Sequence, residues 1–263
     1  MKIDWNSVKK QTLWSYEDLI QKLQRVLAYN FVQQHYNHSM KLAQGHAWKI
    51  RRGYLQNRGE KTAWLDRMAA NFPKLEALRI GTYSNLVDQV ATRERCMTFL
   101  RRTRFDFNQL VEVFGYLLRW VLPFETPVRE VVGAGNDLDA KYLEVLRKQK
   151  IRSNLDLLEA GRTKAGRIRL ARVTGIPAAR LMALVNRADI SRLAYVRGKT
   201  IKHLCGGGYD SLEKIASANL AEMEKKMDAY YRTLGKRLAD FKLVVPLPWM
   251  IGGAKTLPRV VEE

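Results

Sequence analysis

The sequence predicts an all-α protein. Apolar residues recur at helical rather than alternating spacing, runs of alternating β-branched residues are scarce, and only seven prolines interrupt 263 residues. Apolar residues make up 46% of the chain, enough to bury a core. The length suits two domains or one large one.

The elements follow in order. Ser15-Tyr16-Glu17-Asp18 reads as a helix start, with Ser15 as the cap and an acid three residues later. Leu19, Leu23, Val26, Leu27 and Phe31 keep helical spacing, and the pattern runs to about Trp48 as one long helix or two. Gly45, Gly53 and Gly59 are the expected breaks. Further helices are predicted over residues 61–70, ending near Asn71-Phe72-Pro73, over residues 84–100, and over residues 107–122 behind the cap candidate Asp106. Pro123, Pro127 and the Gly133-Ala134-Gly135-Asn136 cluster place a domain boundary near residue 130. This gives a helical bundle over 1–130 and a second domain over 131–263.

Beyond the boundary the predicted helices shorten. Leu138, Tyr142, Val145 and Leu146 form one apolar stripe. Ser153-Asn154-Leu155-Asp156 is a capping box, and Gly161 closes its helix. A basic helix is predicted over 164–174, closed by Gly175. Pro177 then opens a helix to about Arg187, with Leu181, Leu184 and Val185 as its buried stripe. Short helices flank Gly206-Gly207-Gly208, which reads as a helix stop: no strand precedes it and no Lys-Ser/Thr follows, as a phosphate loop would need. A long amphipathic helix over 219–240 precedes an apolar tail at 244–249, expected to be extended and to strap across the domain. An offset of 58 residues aligns Leu143 with Ile201, Leu146 with Leu204, Ser153 with Ser211 and Leu157 with Ile215, which suggests an internal repeat.

Charge carries the functional expectation. Lysine and arginine number 46 against 26 acids, a net charge of +20. Residues 141–202 hold sixteen of those bases and only four acids. A positive field on short helices and tight turns points to a phosphate backbone, so a nucleic acid, DNA or RNA, is the expected partner. Arg162, Lys164, Arg167, Arg169 and Arg172 read either as a phosphate clamp or as a solvated basic face. Part of the charge, at Arg147, Lys148, Lys150 and Arg152, falls at a helix end where the dipole accounts for it. Secondary basic knots lie at Arg101, Arg102 and Arg104 and at Lys49, Arg51 and Arg52. Their aromatic neighbours Trp48, Tyr54, Phe105 and Phe107 either stack on exposed bases or belong to the core.

Other chemistries find little support. His35 and His38 at i, i+3 invite a metal reading with His46, but no cysteine or carboxylate completes the set, and no metal or other cofactor is expected. The acidic pairs Asp137/Asp139 and Glu222/Glu224 lack the clustered ligands of a two-metal nuclease. No catalytic residue stands out, so no enzyme is expected. Cys96 and Cys205 are isolated, which favours a reducing cytoplasm. No signal peptide is visible, and the apolar run from Leu110 to Leu122 is broken by Glu112 and Arg119, so no membrane association is expected.

Four segments carry a family resemblance: Asp156-Leu157-Leu158-Glu159-Ala160-Gly161, Gly166-Arg167, Thr174-Gly175-Ile176-Pro177, and Val185-Asn186-Arg187-Ala188-Asp189-Ile190. Over about residues 132–228 the chain resembles a prokaryotic family of domains of unknown function related to helix-hairpin-helix proteins. The resemblance implies tandem, degenerate helix-hairpin-helix units. In such units a glycine, an apolar residue and a second glycine let backbone N–H groups hold a phosphate. Here the first hairpin position reads Asp137-Leu138-Asp139, which would repel phosphate; Gly133-Ala134-Gly135 fits only with a slipped register. The second position reads Tyr195-Val196-Arg197-Gly198 and adds Lys199 and Lys202, so Arg197, Gly198, Lys199 and Lys202 join the candidate site. The alternative expectation is a helical adaptor that binds an acidic protein through these degenerate units, with the C-terminal helix and tail as its docking surface.

Overall fold

A computed structural model describes residues 3–54, 59–133, 140–240 and 245–262, and they build an all-α protein without strands among them. The chain divides into two compact units, Met1–Leu122 and Pro123–Glu263. The second unit therefore begins at Pro123, the first proline of the expected boundary, and not at the glycine cluster.

The first unit opens with α1 (Asn6–Thr12), α2 (Tyr16–Leu27), α3 (Asn30–His35) and α4 (Met40–Tyr54). Ser15 caps α2 as its sequence predicts, accepting the Asp18 N–H at 3.2 Å. The apolar pattern to Trp48 is neither one helix nor two. It breaks at Tyr29 and again at residues 36–39, while Gly45 and Gly53 lie inside α4. A Cβ at Gly45 would meet nothing within 4 Å, so this glycine costs the helix only chain entropy and does not stop it. Gly59 starts α5 (Gly59–Ala69), and α6 (Asn71–Ala77) accepts Pro73 in its first turn. The helix expected over 84–100 is two helices, α7 (Tyr83–Gln89) and α8 (Arg93–Thr103), because Thr92 caps a fresh start through the Arg95 N–H. Asp106 caps α9 (Phe107–Tyr116), which widens into a π turn over Leu117–Val121. Trp5, Tyr16 and Phe107 pack edge to face at one end of this unit, and Phe72 packs on Tyr83 and Tyr116 at its centre.

The second unit is built on the 58-residue offset. Its helices are α10 (Val128–Val132), α11 (Ala140–Lys148), α12 (Asn154–Gly161), α13 (Lys164–Thr174), α14 (Ala178–Ile190), α15 (Gly198–Gly206), α16 (Leu212–Ala216), α17 (Leu220–Thr233) and α18 (Leu247–Thr256). Adding 58 to the bounds of α11 gives those of α15, and adding 58 to the last residue of α10 gives the last of α14. The turns repeat as well. Lys150 (φ 62°) and Gly208 (φ 87°) both take the left-handed conformation. The Ile151 and Tyr209 N–H groups then reach back to the Leu146 and Leu204 carbonyls at 3.0 and 2.8 Å. Ser153 and Ser211 cap the helices that follow. Each copy thus spends an αL residue to satisfy the carbonyls at a helix end before the next cap.

Helix α13 packs on α12 and α14, joined to each by a short turn. Gly166 permits the first contact: a Cβ there would lie 2.3 Å from the Ala160 carbonyl oxygen. Backbone cannot swing aside as a side chain can. Gly166→Ala is therefore expected to cost about 3 kcal/mol through overpacking, visible as a lower midpoint of chemical denaturation. Gly206 and Gly207 leave room for the side chains of Tyr230 and Met227 of α17, so this stretch both ends α15 and seats α17.

Two expectations for the end of the chain are corrected. The long amphipathic helix stops at Thr233, and Gly235 follows with φ 69°. From Leu247 on the apolar tail is helical rather than extended: Pro246 precedes α18 and Pro248 sits in its first turn, where a missing N–H is harmless, while Val244 lies outside the described residues. Val245, Leu247, Met250 and Ile251 are buried with Met223, Met227 and Tyr231 of α17. Among the described residues no helix is long and apolar enough to cross a membrane.

Candidate nucleic-acid interface

Helix α13 sorts its residues by direction. Thr163 caps it, accepting the Gly166 N–H at 3.0 Å, and Gly175 closes it with φ 68°. Gly166, Arg167 and Leu170 face inward. Lys164, Ala165, Ile168, Arg169, Arg172 and Val173 are exposed. At 100° per residue the outward face reads Ile168, Arg172, Ala165, Arg169, Val173 around the helix. Two arginines thus share a strip edged by apolar residues that are 54% and 51% exposed. Lys164, Arg169 and Arg172 make no ion pair with any described residue.

Arg167 does not join them, which corrects its place in the expected clamp. It is only 7% exposed, and its Nη1 donates to the Gly161 and Arg162 carbonyls at 3.2 and 3.1 Å. These are orphan carbonyls at the end of α12, so Arg167 is a side-chain cap. Arg162 is half-buried at that same end.

The second expected group divides similarly. Arg197 precedes α15, and its guanidinium lies 4.2 Å over the Phe124 ring while Nη1 donates to the Val196 carbonyl at 2.8 Å. Burial pulls its pKa below the usual arginine value. The side chain is folded back rather than presented. Gly198 serves packing: a Cβ there would lie 2.9 Å from the Glu130 carbonyl oxygen of α10. Lys199 and Lys202 are exposed one turn apart on α15. At the hairpin itself Tyr195 holds φ 64°, a conformation that glycine adopts without strain. The first hairpin, Asp137-Leu138-Asp139 with Ala134 and Gly135, lies outside the described residues.

The basic knots of the first unit are dispersed. Arg101 and Arg102 occupy the last turn of α8, where cations suit the dipole, and Arg102 donates to Gln89 at 2.7 Å. Arg104 is the left-handed residue ending that helix. Lys49 is exposed on α4; the side chains of Arg51, Arg52 and Tyr54 lie outside the described residues. Phe105 is buried and packs on Phe99, whereas Phe107 is partly buried and packs on Trp5. Trp48 is partly exposed.

The histidines pair differently from their spacing. His35 ends α3 and His38 lies beyond it, so they share no helical face. His38 instead meets His46, ring centroids 4.9 Å apart, and His46 Nδ1 lies 3.4 Å from the Tyr116 hydroxyl. No group of three or more His, Cys, Asp or Glu that could hold a metal forms among the described residues. Burial lowers both imidazole pKa values, and His38 and Lys49 help bring His46 to about 4. A histidine with a folded pKa below its unfolded value disfavours folding once protons are taken up. The first unit should therefore hold its stability above about pH 6.5 and lose it as pH falls toward 4, at up to about 1.4 kcal/mol per pH unit for His46. Denaturation midpoints at pH 7.5, 5.5 and 4.5 check this, and His46→Phe should flatten the profile.

Within the basic stretch lies a feature that charge counting misses. Asp189 and Arg192 form a buried ion pair, with Oδ1 accepting from Nε at 2.7 Å and Nη2 at 2.5 Å. Burial raises the Asp189 pKa against the pull of Arg192. Arg192 also donates from both terminal nitrogens to the Pro258 carbonyl, each at 3.1 Å. Asp189, the last residue of the Asn186-Arg187-Ala188-Asp189 run, thus holds the arginine that grips Pro258. Asn186 and Asp189 also line a cleft of about 800 Å³ with Met182, Leu212, Lys255 and Val260.

Comparison with known families gives one match: residues 137–244 match the model of a domain of unknown function, DUF4332. This covers most of the segment that carries the resemblance in sequence. No curated protein and no solved structure matches the chain.

Proposed function

We propose that the second unit is a non-catalytic, helix-hairpin-helix-related module that binds the phosphate backbone of nucleic acid, largely without regard to sequence. The observation that carries this reading is the outward strip of α13, where Arg169 and Arg172 stand exposed with no ion pair among the described residues, beside Lys164. Guanidinium groups so presented make paired hydrogen bonds to phosphate oxygens. Lys199 and Lys202 on α15 extend the positive surface. The repeated helix-turn-helix units support the helix-hairpin-helix kinship, although the second hairpin has Tyr195 and Arg197 where glycines would stand.

Phosphate contacts position a protein on nucleic acid but carry no base information. Their affinity is set by counterion release. Anisotropy titrations of labelled single- and double-stranded DNA and RNA at about 50 and about 200 mM salt test the proposal. Affinity for the preferred form should fall steeply with salt and vary little with sequence. Binding indifferent to salt would contradict it.

One observation favours a second reading. Ile168 and Val173 are exposed beside the arginines, a combination that also suits an acidic, partly apolar protein surface. Val245, Leu247, Met250 and Ile251 are packed into the core, so the exposed apolar pair on α13 is the surface that this reading favours. A partner that stays bound after thorough nuclease treatment, and is lost from an Ile168→Ser/Val173→Ser variant, would favour it.

A further inference from the structure

We propose that the cleft lined by Asn186 and Asp189 binds a small amphipathic anion, an apolar body carrying one carboxylate. The inference is independent of the phosphate reading of α13. The cleft holds about 800 Å³, a volume typical of small-molecule sites. Met182, Asn186 and Asp189 stand at i, i+4 and i+7, so one face of α14 forms its first wall. Leu212 of α16 and Ala254 of α18 add apolar lining, and the terminal segment adds Leu257 and Val260. That last wall is pinned at both ends. Arg192 grips the Pro258 carbonyl upstream. Downstream the Glu262 N–H donates to the Arg162 carbonyl at 2.8 Å, and Glu262 Oε2 accepts the Lys164 N–H at 3.0 Å. A wall so held costs an incoming ligand little ordering.

The polar groups of the cleft decide what fits. Asn186 is half-buried, and its amide makes no hydrogen bond with any described residue. Its N–H groups suit a carboxylate oxygen. Lys214, Lys255 and Arg259 line the cleft against Glu213 and Asp189. Most of these charges are matched. Asp189 pairs with Arg192, Lys214 with Asp210 at 2.7 Å, and Arg259 with Glu213 at 3.5 Å. Lys255, exposed in the last turn of α18, makes no ion pair with any described residue. Among the described residues of the cleft, an unmatched cation and an unspent amide thus stand beside apolar surface. A single carboxylate on an apolar body takes up both donors and covers that surface.

Titration of the full chain with naphthoate, followed by the Met182 methyl resonance, tests this. The aromatic ring should shift that methyl saturably. Neutral naphthamide, of the same shape, should bind at least about fivefold more weakly. Lys255→Glu should weaken naphthoate by at least about fivefold and leave naphthamide unchanged, while Lys255→Arg keeps the affinity. Lys225→Glu makes the same change in net charge on the exposed face of α17, outside the cleft, and should alter naphthoate binding by less than about twofold. A Met182 methyl that does not move at millimolar naphthoate would overturn the inference. So would equal affinity for naphthoate and naphthamide, or equal losses in Lys255→Glu and Lys225→Glu.

Discussion

Asp189→Ala is expected to destabilise the second unit by about 3–5 kcal/mol. The carboxylate is the partner of Arg192, whose side chain is wholly buried. Removing it takes the Asp189 carboxylate away from a guanidinium in low dielectric, whose bonds to the neutral Pro258 carbonyl do not replace that charge. The loss comes chiefly from the desolvated guanidinium losing its carboxylate, not from the intrinsic worth of the pair. Asp189→Ala combined with Arg192→Leu should therefore recover a large part of the loss, since both charges then leave together. Chemical denaturation followed by circular dichroism gives both values. A single-variant loss below about 1 kcal/mol would show that the pair carries no such burden. The same variant should loosen the terminal segment, because Arg192 holds Pro258 and, through it, the stretch that carries Glu262.

Charge reversal at Arg169 and Arg172 should act on binding and leave the fold intact. Both side chains point to solvent, so Arg169→Glu/Arg172→Glu is expected to change stability by no more than about 0.5 kcal/mol. Its affinity for nucleic acid at low salt should fall at least about tenfold, by a similar factor for unrelated sequences, because phosphate contacts are shared by all of them. The slope of log affinity against log salt should shrink by roughly two, one for each lost phosphate contact. A large loss for one sequence and none for another would instead mean that these arginines read bases.

Much of the second unit is legible in its sequence because its punctuation is chemical. Ser153, Thr174-Gly175 and Pro177 each carry a local reason to start or stop a helix, and α13 runs from Lys164 to Thr174 as its pattern predicts. The repeat is legible for the same reason, since caps and core positions recur at a fixed offset. The first unit is harder. Its breaks near Tyr29 and residues 36–39 carry no glycine or proline, whereas Gly45 and Gly53 sit within a helix. Tertiary packing there overrides the local cost of a glycine. The tail misleads because Pro246 and Pro248 suit both an extended strap and a helix start.

The candidate site is only partly legible, because a count of charges has no direction. Arg167 and Arg172 lie five residues apart on one helix, yet one caps α12 and the other faces solvent. Arg192 lies in the most basic stretch and is buried. The contact between Glu262 and Lys164 joins residues 98 apart, beyond any local pattern.

Whether α13 presents Arg169 and Arg172 to a phosphate backbone is decided most directly by the salt dependence of binding to one duplex, measured side by side for the unsubstituted protein and for Arg169→Glu/Arg172→Glu. A steep linear fall of log affinity with log salt is expected for the former. Weaker binding, with a slope smaller by roughly two, is expected for the latter. Parallel lines of equal slope and equal affinity would contradict the proposal.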